Sequence, residues 1–223
     1  SFIIKDYERP TSLGSSYFWE INRISPLELL TNPDGSWTKN GAQVLGVMQE
    51  GGRASEQGSS IKTQFATHLD IIKDVLFVNG NFSYNFDKNR NRWHYLPVAY
   101  YEGPEMAPKY FNEVTSANTQ SNETTRLTFD AYATFYKIFN EKHAITVIAG
   151  FNQEEYRYEN AQLGRKDLIS TSLPTPGLAT GDMSVSESIT TWALRGGYAR
   201  FNYTFDDKYI AEFNGRYDGT SRF

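Results

Sequence analysis

The chain has no cysteine, only three histidines and three methionines, and no apolar run near the roughly 18 residues that a membrane-spanning helix needs. The missing cysteine removes disulfides, thiolate metal sites and cysteine nucleophiles together, and leaves the redox compartment open. Positive charge is not in excess either. The 22 Lys and Arg stand against 26 Asp and Glu, giving a net charge of -4 and a pI near 5.5, and the bases are scattered, so no basic field awaits a nucleic acid. No signal peptide heads the chain, which opens at Ser1-Phe2-Ile3-Ile4 without Met and is expected to be a mature form or an excerpt. Aromatic rings are abundant: 15 Tyr, 15 Phe and 4 Trp make 15% of the 223 residues. Such rings favour strands, and many carry a polar tip suited to interfaces. Hydrophobic residues at 39%, charged residues at 22% and a mean hydropathy of -0.56 exclude a helical membrane protein and a disordered chain. The length allows one large domain or two small ones.

Alternation of period two is the dominant local pattern. Leu76, Val78, Gly80, Phe82, Tyr84 and Phe86 alternate with Phe77, Asn79, Asn81, Ser83, Asn85 and Asp87, so one face is apolar and the other mostly polar. Upstream, Ile61, Thr63, Phe65, Thr67 and Leu69 alternate with Lys62, Gln64, Ala66, His68 and Asp70, and the short stretch Ile71 to Asp74 predicts a hairpin turn. A second hairpin is predicted where Leu127, Phe129, Ala131, Ala133 and Phe135 lead through Asn140-Glu141-Lys142 to Ile145, Val147, Ala149 and Phe151. A third runs from about Ile189 to Thr204 and from Lys208 to Tyr217, joined at Phe205-Asp206-Asp207, with the faces at Leu194 to Tyr198 left unassigned.

The connections between hairpins are long where the turns inside them are short. Residues 88 to 122 and 157 to 188 read as loops, and 9 to 58 as a possible third. Compact soluble domains rarely carry structureless loops beyond about 12 to 15 residues. Outer-membrane barrels do so routinely, with short periplasmic turns, long outer loops and strands alternating apolar outward and polar inward. On alternation alone a soluble β-sandwich fits equally well. Strands of roughly a dozen residues, against the usual 5 to 6, and the alternation of short and long connections favour an all-β, antiparallel transmembrane barrel. Six or seven strands fall short of the smallest barrel of about eight, so a segment of a barrel is expected.

At the C-terminal end stand Ala199-Arg200-Phe201-Asn202-Tyr203-Thr204-Phe205-Asp206-Asp207-Lys208-Tyr209 and Arg216-Tyr217-Asp218-Gly219-Thr220-Ser221-Arg222-Phe223. In type, order and spacing they resemble the SusC/RagA family of TonB-dependent transporters, which carries a G-R-x-N-Y strand, a D-K-Y turn and an R-x-D-G-[ST]-S-R-F segment. Ala199 replaces the usual Gly. Arg200, Asn202, Tyr203, Arg216, Asp218, Gly219, Ser221, Arg222 and Phe223 carry the match, and Asn32-Pro33-Asp34-Gly35 with the hairpin from Ser60 to Asp87 is similar in a general way. The resemblance implies part of a 22-stranded plugged barrel with long extracellular loops, in the outer membrane of a Gram-negative bacterium of the Bacteroidetes type. It implies import of glycans or peptides, a SusD-like lipoprotein partner, contact with membrane lipid, and energy from TonB. No Gly-rich plug, TonB box or terminal barrel strand is recognised, so residues 1–223 are expected to be an internal barrel piece, with TonB acting through parts absent from it.

Catalysis finds no support. His68, His94 and His143 lie too far apart in sequence for a paired metal motif. The stretch from Asp87 begins like a calcium loop but has Arg92 at its sixth position and Val98 at its twelfth. Glu154 and Glu155 are adjacent, so on a strand they point to opposite faces and cannot flank one bond. No enzyme activity, cofactor or metal is expected. The weak candidates for ligand or partner binding are Trp93, Tyr95, Tyr100, Tyr101 and Tyr110, rings set among polar groups in the segment 88 to 122. Packing of that segment against itself or against a partner lipoprotein, or an aromatic girdle, weighs more heavily for them than ligand contact. The competing function is a soluble all-β carbohydrate-binding module.

Overall fold

The structure is a computed structural model, and it describes residues 1–12, 15–103 and 106–222. Seven strands form one antiparallel sheet: β1 (Phe2–Pro10), β2 (Arg53–Ile72), β3 (Leu76–Tyr95), β6 (Ser116–Phe139), β7 (His143–Lys166), β8 (Met183–Phe205) and β9 (Tyr209–Thr220), adjacent in that order. A separate ribbon pairs β4 (Val98–Tyr100) with β5 (Lys109–Phe111). Helix α1 (Ser15–Arg23) and the run α2 (Lys39–Gly41), a π-turn (Ala42–Gly46) and α3 (Val47–Gln49) occupy the β1–β2 connection.

Register explains why the sheet has two unlike faces. Side chains directly opposite across an antiparallel pair share a face, so the hydrogen-bonded rows can be read across the sheet. One row is Leu76, Phe135, Val147, Phe201 and Phe213, and the next are Val78, Ala133, Ala149, Ala199, Gly215 and Gly80, Ala131, Phe151, Gly197, Tyr217. The apolar face is therefore continuous from β2 to β9. It is also uncovered, with Phe65 62%, Phe213 70% and Tyr217 84% exposed. The other face carries Asn79, Asn81, Ser83, Asn85, Asp130, Thr134, Asn152, Asn202 and Asn214 in matching rows. A one-residue slip would exchange the two sets, so the pattern fixes the register. Gly196 and Tyr198 fall on the polar face and Arg195 and Gly197 on the apolar side, completing the stretch whose faces the sequence left unassigned.

Among the described residues no second sheet packs on either face, which removes the two-layer architecture that a soluble sandwich needs. Among the described residues a small core lies off the sheet, where Ala42, Val47, Val98 and Tyr100 are buried with Trp37 and Phe111 against them.

The three hairpins stand as expected, but the strands are longer. β3 runs to Tyr95 and β6 begins at Ser116, so the long connection is 96–115 and not 88–122. Likewise 157–188 shrinks to 167–182, and 9–58 to 11–52. The reason is physical: past Phe86 and Phe151 both faces are polar, so the apolar alternation ends while the ladder of backbone bonds continues. All three long connections leave one end of the sheet. The short turns at 73–75, 140–142 and 206–208 lie at the other, where Asp74, Asn140, Glu141, Asp206 and Asp207 take positive φ. Asp and Asn tolerate that region better than most residues, which suits tight hairpins. β6 continues past Phe135, which faces Leu76 at the start of β3, on to Phe139 before turning, a stagger expected of tilted barrel strands.

Candidate functional site

The polar face holds a groove towards the end with long connections. Two of the sequence candidates, Trp93 and Tyr95, are in β3 and not in a loop, and they fall on this face in line with Asn91. With Tyr7 and Arg9 of β1 and Glu56 of β2 they line a cavity of about 250 Å³. The Asn91 Oδ1 is buried there with no hydrogen-bond partner in the protein, and an unmade bond of this kind costs about 1–3 kcal/mol unless something fills it. Immediately along β3, a second cavity of about 370 Å³ is lined by Lys5, Ser60, Asp87, Asn89, Asn122 and Tyr158. Asn89, Asn122 and Asn160 stand directly opposite one another on β3, β6 and β7. The Tyr158 hydroxyl donates to Asn122 at 3.4 Å. Amides and aromatic rings in one concave strip can hydrogen-bond hydroxyl or amide groups and stack on flat faces.

The other sequence candidates lie elsewhere. Tyr100 is 9% exposed in the small core, its ring 5.0 Å from that of Phe111, so it packs the outer ribbon and is closed to a ligand. Tyr101 follows β4, where its N–H donates to Trp37 O at 2.9 Å and its own carbonyl accepts from Asn32 at 3.3 Å. Tyr110 of β5 is 44% exposed. Lys109 and Glu102 pair at 2.6 Å beside it; that hydrogen bond holds the Glu102 carboxyl below, and the Lys109 amine above, their usual values.

The motif residues near the C-terminus build the wall itself. Arg200 pairs with Glu212 at 2.8 Å, and Asn214 donates to the same carboxylate at 2.6 Å. Arg216 Nε donates to both Asp218 oxygens at 2.8 and 2.7 Å, lying over Gly196, where an added Cβ would sit 2.0 Å from Asp218 Oδ1. The Tyr198 ring covers Gly150 in the same manner and its hydroxyl donates to Asp130 at 3.2 Å. Asn202 is on the polar face with Oδ1 buried and unpartnered, whereas Tyr203 is on the apolar face, 2.7 Å from His143 Nδ1. Gly219 pairs with Arg195 in the ladder. Ser221 extends the pairing through two bonds to Ala193, and Arg222 lies 4.3 Å above the Trp192 ring. Trp192 stacks on Tyr156 at 5.3 Å, with Arg126 over Tyr156 and paired to Glu154 at 3.4 Å. Phe223 lies outside the described residues.

Sequence reasoning missed Tyr7, Arg9, Glu56, Tyr156 and Trp192. Period-two positions in Phe2–Pro10 were the only signal for the first two, and nothing in sequence tells that β1 closes against β2.

Two TonB-dependent receptors of Formosa agariphila match the chain. P39 is 35% identical over 95 residues, 40% of this chain and 9% of that protein, and P3 is 26% identical over 109 residues, 48% and 11%. Solved structures of the RagAB peptide importer, in its closed-closed and open-open states, superpose with a TM-score of 0.65 at 18 and 20% identity, covering 76% of this chain and 18% of theirs. The chain is similar to a segment of TonB-dependent receptors and shares the fold of part of the RagAB importer. No protein-family model matches it. The segment spans a small part of the length of these relatives. As an arc of a transmembrane barrel, the receptor segment turns its apolar face to lipid and its polar face, with the groove, to the lumen. On β3 the apolar run from Leu76 to Phe86 is about 34 Å long at roughly 3.4 Å per residue. Tilted by about 40° it stands about 26 Å tall, the height of a barrel's lipid-facing band. Tyr203, Phe205 and Tyr209 at the short-turn end supply the aromatic girdle.

Proposed function

We propose that this chain forms part of the wall of an outer-membrane, TonB-dependent importer of glycans or peptides that works with a SusD-like surface lipoprotein. The observation that carries the reading is the unbroken apolar face backed by a polar, groove-bearing face, with every long connection at one end. The structural neighbours are solved forms of a peptide importer, and their fold supports the same use of the wall here. In this reading Trp93, Tyr95 and Asn91 meet cargo in the lumen. Tyr101 and Tyr110, on the outer ribbon, meet the lipoprotein lid. Arg200, Arg216, Asp218 and their partners keep the wall in register and touch no cargo. TonB coupling would run through a plug, and no residue of this chain is assigned to it. The chain performs no covalent chemistry of its own.

Uptake of labelled oligosaccharides and labelled oligopeptides by cells with and without the gene tests this proposal. Loss of one cargo class on deletion, restored by the wild-type gene and only weakly by Trp93→Ala with Asn91→Ala, is the expected result. Unchanged uptake of both classes overturns it.

A further inference from the structure

Beyond the apolar band both faces of the sheet are polar, yet across β3, β6, β7 and β8 only one of them is charged. On the face opposite the groove, Lys88, Glu123 and Glu159 stand in one row, Arg90 and Glu187 in the next, and Arg92, which also edges the 250 Å³ cavity, in a third. The interleaved rows of the groove face are amides. Asn89, Asn122 and Asn160 form one, Asn91, Gln120 and Gln162 the next, and each ends in a serine on β8. The following row, from Trp93 and Asn118 to Ser184, is uncharged as well. Charges frame this window without entering it: Asp87 in the row below, Lys166 near the outer end, and Lys5 and Glu56 on β1 and β2.

Solvent reaches both faces at this height, so hydration alone does not sort the charges to one of them. The amides are also unspent. Among the described residues the side chains of Asn89, Asn91, Gln120, Asn160 and Gln162 hydrogen-bond to no other protein group, and Asn91 Oδ1 is buried in that state beside Trp93. Glycines make room for their neighbours: a Cβ on Gly58 would sit 2.6 Å from Asn89 Oδ1, and one on Gly164 2.4 Å from Asn118 Oδ1, so both amides lie along the wall. Each free amide offers two N–H donors and a carbonyl acceptor, the complement of neighbouring hydroxyls that both donate and accept. An ionic group entering the same window would give up water and find no counter-charge there.

We propose that these amide rows select uncharged oligosaccharide as the cargo and discriminate against peptides and anionic sugars. At roughly 3.4 Å per residue and 4.8 Å between strands, three rows on four strands make a window of about 14 by 14 Å, the scale of a short oligosaccharide. The rings of Trp93 and Tyr158 at its margins supply flat faces for the apolar side of a sugar ring. A free peptide brings an ammonium and a carboxylate with it, and a uronate or sulfated sugar brings an anion at intervals, so each must place charge among unpaired amides. The assignment rests on the importing-wall reading and narrows its cargo to one class, unlike that of the peptide importer whose fold the wall shares.

The test uses the full-length receptor in detergent micelles, offered three mixtures at equal concentration: neutral hexasaccharides cut from glucans, mannans, xylans and galactans; anionic hexasaccharides cut from polyuronates and sulfated galactans; and unprotected hexapeptides of random sequence. Native mass spectrometry identifies what is retained. Wild type should hold a neutral hexasaccharide at least about tenfold more tightly than any anionic sugar or peptide. Gln120→Lys with Gln162→Lys, directly opposed on β6 and β7, puts two cations into the window and should shift the preference at least about tenfold towards anionic sugars. Ser121→Lys with Ala161→Lys, the same charges one position along each strand and on the opposite face, should leave it unchanged. The electrophoretic shift of the folded barrel checks both variants, and Gln120→Lys alone is read the same way if the pair does not fold. A wild-type preference for peptides or anionic sugars, or lysines in the window acting no differently from lysines on the opposite face, overturns the selection and leaves the importing wall standing. Retention of nothing from any mixture by wild type overturns the importing wall itself, and the selection with it.

Discussion

Gly150 is a position at which the wall should not accept a methyl group without moving a ring. It lies on the lumen face between Tyr132 and Tyr198, its direct neighbours on β6 and β8. A Cβ there would stand 2.4 Å from Tyr198 Cζ and 2.6 Å from its hydroxyl oxygen, with Tyr132 Cβ at 2.8 Å. Gly150→Ala must therefore push the Tyr198 ring out of place. Displacing it loses the bond from the Tyr198 hydroxyl to Asp130, a net contribution of about 0.5–1.5 kcal/mol. It also costs about 1–3 kcal/mol of overpacking in a wall whose backbone is fixed by ladders on both sides. The expected destabilisation is about 2–4 kcal/mol. Arg216, 6.0 Å from the Tyr198 ring centre, would lose its cation–π contact as well. The assay is denaturant unfolding of the refolded receptor in detergent micelles, followed by tryptophan fluorescence and by the electrophoretic shift between folded and unfolded barrel. A double-mutant cycle supplies the decisive comparison. If the ring is the obstacle, Gly150→Ala should cost at least about 1 kcal/mol less in a Tyr198→Ala background, where only the Tyr132 contact remains. Additivity of the two changes to within about 0.5 kcal/mol would refute the reasoning.

Phe82→Arg, at mid-band on the lipid side, should destabilise the receptor by about 2–4 kcal/mol in bilayers, while Asn81→Arg on the lumen side should change stability little; equal costs in refolding titrations would reject the assignment of faces. Removing the ring in Trp93→Ala should weaken cargo binding without moving the unfolding midpoint, a split that titration calorimetry and thermal unfolding of one preparation can read. The Glu102–Lys109 contact makes a pH prediction. Because the Glu102 carboxyl titrates below its ordinary 4.5 in the folded ribbon, its stabilising contribution is complete above that value and fades as the pH falls through the lower, folded value. Amide exchange at the β4–β5 ribbon should accordingly quicken only in that acid window, and Lys109→Ala should abolish the dependence.

How much of this was legible beforehand depends on what each residue faces. Between Leu76 and Phe86 one side meets lipid and the other meets water, so the sequence alternates and the strand can be read directly. From Lys88 to Tyr95 the same strand has solvent on both sides, and Asn89, Arg90, Asn91 and Arg92 carry no periodic contrast; its continuation is held by backbone pairing to Gln57, Glu56 and Ser55. That is why Trp93 and Tyr95 read as loop residues although a ladder holds them over the groove. Tyr100 misled for another reason. Its sequence surroundings are as polar as those of Tyr101, and only the arrival of Ala42 and Val47 from the β1–β2 connection buries it. The C-terminal motif was recognisable by type and spacing, yet its arginines gave no hint of partners. Arg216 is held by Asp218, two positions on along the same strand face, and the absent side chain of Gly196 makes room for the pair. A motif of this kind is constrained by the geometry of the wall. These residues therefore serve the barrel wall, and in the proposed reading cargo meets the amides and rings of β1 to β3, which lie outside the motif.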